Sequence, residues 1–161
     1  MKRRLGLVAV AMLLSLQSAV LAAQELKPFG RGSQQQIAAA RTGKPFIVAF
    51  WSVSCTYCGA ELAMFGKLLK KYPALDLVLV STDTPADGKE LTAVLGKHAL
   101  GRAEAWVFAD SHADRLRFEV DPEWYGELPR TYFHGAKDGV QASSGKMELV
   151  DVERWLIRQQ R

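Results

Sequence analysis

Two kinds of apolar pattern alternate along this chain. Short continuous runs lie at Phe46 to Trp51, behind the punctuation of Gly43 and Pro45, at Leu75 to Asp83 (LDLVLVSTD) and in AEAWVFAD. They are too brief for core helices and rich in strand-favouring residues, so each predicts a buried strand. Between them the spacing changes to three and four. Cys58, Leu62, Phe65 and Leu69 share one face of a helix beginning at or near Cys55 and ended by Pro73, with Glu61, Lys67, Lys70 and Lys71 largely off that face. A second helix is predicted from about Asp87 to His98, with Leu91, Val94, Leu95 and Leu100 packing, and a weaker helical or irregular stretch over Ser111 to Val120. RTYFH, a turn at GAKDG and VQASS predict an antiparallel hairpin; Met147 to Arg161 predicts a closing helix with Leu149, Val152, Leu156 and Ile157 inward. Residues 24–42 predict only a lead-in helix around Gln34 to Arg41. Strand, helix, strand, helix, strand, hairpin, helix is an α/β order. It calls for right-handed crossovers and a sheet covered by helices on both faces. There is no internal repeat and no sign of a second domain.

The first residues follow a different pattern. Lys2, Arg3 and Arg4 precede a charge-free stretch from Leu5 to Ala23 that ends in small residues, with Val20 and Ala22 placed for cleavage before Ala23. This is the layout of a secretory signal peptide over residues 1–22, followed by one domain over 23–161. Cleavage before Gln24 fits nearly as well, and retention as a membrane anchor is the alternative. Either outcome puts the domain outside the cytosol. Removing residues 1–22 takes away three of the 21 basic residues and none of the 17 acidic ones, so the net charge falls from +4 to +1. The basic balance of the full chain is therefore mostly a targeting signal, and no basic block longer than Lys70-Lys71 remains to suggest nucleic acid.

Candidate chemistry concentrates in FWSVSCTYC, which holds both cysteines of the chain, Cys55 and Cys58. A disulfide persists in an exported protein, but one that closes so small a loop adds little stability in the chain-entropy model. A redox pair and a pair of metal ligands stay open. At the strand-to-helix handover, first-turn amides and the helix dipole favour a thiolate at Cys55 and lower its pKa. Cys58, one turn on and facing the core, is within bridging reach. An exposed sulfur that attacks and a shielded one that resolves is the asymmetry thiol–disulfide exchange requires. As metal ligands, two thiolates suit two-coordinate Cu(I), which would make the protein a metallochaperone-like module. A tetrahedral zinc site needs about two further ligands, and His98, His112 and His134 are scattered, so no metal site is assigned.

With these residues the mature chain resembles the thioredoxin fold and, more narrowly, the exported TlpA-like thiol–disulfide oxidoreductases of bacteria. The resemblance rests on Phe50, Trp51, Cys55 and Cys58, and on GELPRTYF, where Leu128, Pro129, Thr131 and Phe133 match an apolar-Pro-x-Thr loop. It implies a thioredoxin-like mixed sheet, a periplasmic setting, and a cis-Pro129 that faces the first cysteine and exposes the backbone beside Leu128 to an extended substrate. Trp124 and Tyr125 are candidates to line that groove. Ser54 departs from the family, which commonly has Trp there, and removes an aromatic wall beside Cys55. Ala49 stands where thioredoxins proper keep a buried Asp, whereas Glu61 matches the Glu that several TlpA-like reductases keep three residues after the second cysteine. Two readings of Glu61 stand side by side: a base for the Cys58 proton, or a solvent-facing helix Glu. Thr56-Tyr57 looks like some exported isomerases, while Leu128 and Glu61 look like the reductive branch. Reduction of partner disulfides is the favoured direction, with an oxidant or isomerase as the alternative. The resemblance makes cytochrome c maturation a client pathway and calls for an electron donor in the membrane or exported space. Protein disulfides or thiols are the expected partners, no cofactor is required, and a monomer is expected. Lys44 and Arg130 read most simply as solvated charges, and Trp51, Trp106 and Trp155 as packing residues.

Overall fold

The three apolar runs, the hairpin and one further strand assemble into a single six-stranded mixed sheet in the computed structural model, which describes residues 24–160. The signal segment lies outside the described residues. In chain order the elements are β1 (Leu26–Phe29), α1 (Ser33–Ala39), β2 (Phe46–Trp51), α2 (Cys58–Lys71), β3 (Leu77–Ser81), α3 (Gly88–Lys97), β4 (Glu104–Phe108), α4 (Ala113–Val120), β5 (Arg130–His134), β6 (Val140–Ser144) and α5 (Leu149–Gln159). The strand order is β1-β4-β3-β2-β5-β6. β1, β4, β3 and β2 are mutually parallel, β5 runs antiparallel to β2, and β6 antiparallel to β5.

Strand alternation divides the core into two layers. Ile47, Ala49 and Trp51 of β2 face α2, α3 and α5 in one cluster, with Leu62, Phe65, Leu91, Leu95 and Val152. Phe46, Val48 and Phe50 face the other way, toward Ile37 of α1, Leu116 of α4 and Trp124. Burial on both faces is why β2 reads as a continuous apolar run. α2 and the end of α3 pack so closely that a Cβ at Gly66 would lie 2.0 Å from the His98 carbonyl oxygen. No helix among the described residues is long and apolar enough to cross a membrane.

Four expectations are corrected. β1 is a strand where the sequence pattern predicts none: a four-residue segment containing Pro28 carries no periodic signal, and it is extended because it pairs with β4. α2 begins at Cys58 rather than Cys55, because the Cys55 N–H bonds back to the Ser52 carbonyl (3.2 Å) and the Cys58 N–H to that of Cys55 (3.3 Å), turns that precede the helix. α5 packs Trp155 inward with Val152 and Leu156, as expected of all three, but leaves Leu149 and Ile157 exposed. The indole packs at 5.2 Å from the Phe133 ring and buries more surface than an isoleucine in the same slot. Finally, Glu61 lies on the buried face of α2, not off it, and is 3% exposed. Its partner, described below, comes from β5.

Candidate active site

The four parallel strands end at one edge of the sheet, and the loop from Ser52 to Tyr57 leaves β2 there to enter α2. In open α/β sheets this carboxyl edge is where ligands bind. Cys55 and Cys58 form a disulfide in that loop, with Cα atoms 5.4 Å apart. Their environments differ. Cys58, at the first position of α2, is 1% exposed, whereas Cys55 in the preceding turn is half-buried. The Cys58 backbone N–H at the helix start is shared between the Cys55 carbonyl (3.3 Å) and Cys55 Sγ (3.2 Å). A donor held there supports negative charge on that sulfur once the bridge is open.

The antiparallel register brings the second loop to the same place. Phe50 pairs with Arg130 and Ala49 with Thr131, so Pro129, one residue before β5, lies level with Trp51 at the mouth of the cysteine loop. The Leu128–Pro129 peptide is cis. Leu128 packs partly buried against both core clusters. Trp124 is buried against Phe50 (ring centroids 4.7 Å apart), its indole N–H donating to the Glu127 carbonyl (3.0 Å), whereas Tyr125 is 93% exposed. Of these two aromatics only Tyr125 is open to a partner. Arg130 is not a solvated charge. Its guanidinium donates to Asp121 (2.7 Å), Ser144 (2.6 Å) and the Tyr132 hydroxyl (3.1 Å), a net that ties the Pro129 loop to β5 and β6. Lys44 is exposed.

Glu61 stands three residues after Cys58, on the same face of α2. Its Oε1 accepts the Thr131 hydroxyl (2.8 Å) and its Oε2 is buried without a partner. Burial raises its pKa to about 7; the Thr131 hydrogen bond pulls the other way but is outweighed. Because Thr131 pairs across the sheet with Ala49, the carboxyl group occupies the layer where a smaller β2 residue leaves room. A carboxyl that is half-protonated near neutrality can take or give a proton at a neighbouring sulfur. The histidines do not join this site: His98 caps α3, His112 precedes α4, and His134 is at the far end of β5, stacked on Phe46. Among the described residues no three His, Cys, Asp or Glu side chains converge on one point.

One part of the site has almost no signature in the sequence. Asp83, two residues beyond β3, accepts hydrogen bonds from the Ser52 hydroxyl (2.7 Å), the Ser81 hydroxyl (2.7 Å) and the Val53 N–H (3.0 Å). The only signal for it is a cluster of polar residues at the ends of two adjacent apolar runs.

Sheet, flanking helices, cysteine loop and cis-proline loop together are those of the thioredoxin fold, with a disulfide in its Cys-x-x-Cys loop. No protein-family model matches the chain, and no curated protein does. Solved structures do. A secreted Mycobacterium tuberculosis disulfide oxidoreductase, homologous to DsbE of E. coli, is 20% identical with a TM-score of 0.57, the match covering 74% of this chain and 85% of that one. A thiol:disulfide interchange protein of the thioredoxin family from Chlorobium tepidum is 17% identical with a TM-score of 0.60, covering 76% and 83%. The exposed lipoprotein thioredoxin of Streptococcus pneumoniae is 16% identical with a TM-score of 0.53, covering 74% and 88%. At such identities the likeness shows the fold.

Proposed function

We propose that the protein is an exported thiol–disulfide oxidoreductase that reduces disulfides in partner proteins. The observation that carries this reading is the buried Glu61 carboxyl, held by Thr131 one turn from a shielded Cys58 and poised near neutrality. A disulfide used only as a brace requires no titrating group beside it. Two of the similar structures, one a secreted oxidoreductase and the other an exposed lipoprotein, support an extracytoplasmic setting, as does the signal-like N-terminal sequence.

In this mechanism the reduced Cys55 thiolate attacks one sulfur of a client disulfide, forming a mixed disulfide and releasing the other client sulfur as a thiolate. An extended client segment lies along the backbone beside Leu128, with Tyr125 at the rim. Glu61 takes the proton of Cys58 as that sulfur attacks Cys55 Sγ. The Cys55–Cys58 bond forms, the second client sulfur leaves as a thiolate, and the client has gained two electrons. A dithiol donor in the membrane or exported space resets the pair.

Cys58→Ser is expected to accumulate mixed disulfides with clients through Cys55, and Cys55→Ser to accumulate almost none. The check is non-reducing electrophoresis and mass spectrometry of proteins captured in the exported compartment. Equal capture by the two variants would overturn the assignment of roles.

A further inference from the structure

We propose that Asp83 is a positioning residue for the attacking sulfur, acting through a chain of serine hydroxyls that holds the backbone in front of Cys55. The inference rests on the oxidoreductase reading and names a part of the same site that this reading does not use.

The two strand ends are zipped together up to this point: Trp51 pairs with Ser81, and the Thr82 N–H donates to the Trp51 carbonyl (2.9 Å). Ser52 and Asp83 therefore emerge side by side. The hydrogen-bond directions follow from counting protons. A carboxylate only accepts, so the single hydroxyl protons of Ser52 and Ser81 both go to Asp83. Ser52 Oγ, 2.9 Å from Ser54 Oγ, then has no proton left for that contact, and Ser54 must donate. Ser52 Oγ also accepts the Ser54 backbone N–H (3.1 Å), and Ser81 Oγ accepts the Asp83 N–H (3.0 Å). The result is a one-way chain, Ser54 to Ser52 to Asp83, with Val53 N–H joining at the carboxylate. Every residue between Trp51 and Cys55 is tied to Asp83 directly or through one hydroxyl. Ser52 and Ser81 are buried and Asp83 is half-buried, which shields the inner part of the chain from competing water, while Ser54 forms its exposed outer end.

Two consequences follow. The Ser54 hydroxyl proton goes to Ser52 and is not donated to the sulfur, leaving the Cys58 N–H, shared with the Cys55 carbonyl, as the backbone donor at Cys55 Sγ. That bond depends on where the preceding turn places Cys55, and the turn begins at Ser52, whose carbonyl accepts the Cys55 N–H. Releasing Ser52 to Ser54 lets Cys55 swing away from the amide that favours its thiolate. The chain thus supplies by hydrogen bonding a rigidity that a bulky residue before Cys55 would supply by packing.

The test is the pH profile of Cys55 alkylation by iodoacetamide in the reduced full-length protein, a readout independent of catalysis because shielded Cys58 reacts slowly. Positioning predicts that Asp83→Asn and Ser52→Ala both move the midpoint upward by roughly half a pH unit or more, a threefold or larger loss of rate below it. Ser54→Ala, which keeps the backbone N–H, should move it least. A midpoint unchanged in Ser52→Ala, or lowered in Asp83→Asn as expected if only the negative charge mattered, overturns the inference even if melting temperatures fall. Ser52→Ala keeps the test decisive should Asp83→Asn fail to fold. Wild-type protein that reacts normally but never reduces a client disulfide would instead remove the oxidoreductase reading.

Discussion

Among the residues around the cysteines, Glu61 is moved well away from its ordinary chemistry by burial. A carboxyl that titrates at about 7 is deprotonated, and able to accept the Cys58 proton, only on the alkaline side of that value. The rate of disulfide reduction should therefore rise through an inflection near pH 7. Glu61→Gln keeps the shape and the Thr131 contact but has no base, so the inflection should disappear and the rate at neutral pH fall by roughly a hundredfold, with little change in equilibrium potential. Stopped-flow reduction of a small disulfide between about pH 5.5 and 9 checks both points, spanning the titration on either side; an unchanged profile returns Glu61 to a structural role. The position of Glu61 one turn after Cys58 was legible in the sequence. Its burial was not, since a helical face is read from apolar neighbours, and the hydroxyl that satisfies Glu61 comes from a strand 70 residues away.

At the scale of elements, the start of β5 joins the two halves of the site. Thr131 points to Glu61 on one face, while Arg130 on the other holds Asp121, Tyr132 and Ser144, with Glu127 at 3.4 Å. The Arg130 side chain is only 13% exposed, which sets this ion pair apart from ordinary surface pairs. Arg130→Ala leaves Asp121 without its cation and removes the guanidinium from the Tyr132 ring. It should cost about 2–3 kcal/mol in urea denaturation and raise the client concentration needed for half-maximal rate, because the Pro129 loop loses one of its ties to β6, with the Ser144–Glu127 and Gly145–Pro129 hydrogen bonds remaining. Lys should restore only part, since one ammonium cannot reproduce the fork of contacts. A variant as stable as wild type would show that the net contributes nothing. The hairpin of β5 and β6 was legible from its alternation and its Gly-containing turn. The net was not, because it joins a loop, a strand start and a strand end through long side chains.

For the whole molecule, two desolvated titrating groups, buried Glu61 and half-buried His134, set opposing pH dependences. Glu61 has a pKa near 4.5 when unfolded and about 7 when folded, so the native state holds the extra proton and stability falls as pH rises from 4.5 to 7. The full effect is on the order of 3 kcal/mol. His134, half-buried and stacked on Phe46, is lowered by desolvation from 6.5 to about 4, so its neutral form costs the native state nothing above 6.5, and stability is lost as pH falls from there through 4. Glu61→Gln should accordingly gain on wild type progressively from pH 4.5 to 7 and hold that difference above, whereas His134→Gln should gain as pH drops below 6.5. Urea denaturation at several pH values reads the difference curves; parallel curves would place both groups in water. By itself the sequence determined the α/β order, the two-faced burial of β2, and the placing of Cys55 and Cys58 at a strand-to-helix junction. Those follow from local periodicity and from what neighbouring residues permit. Only the tertiary structure decided that β1 is a strand, that Glu61 is buried on Thr131, that Trp155 packs on Phe133, and that Asp83 meets Ser52. Each of these depends on a partner distant in the chain, and the free energy that selects it arises when pairing and desolvation bring the two together.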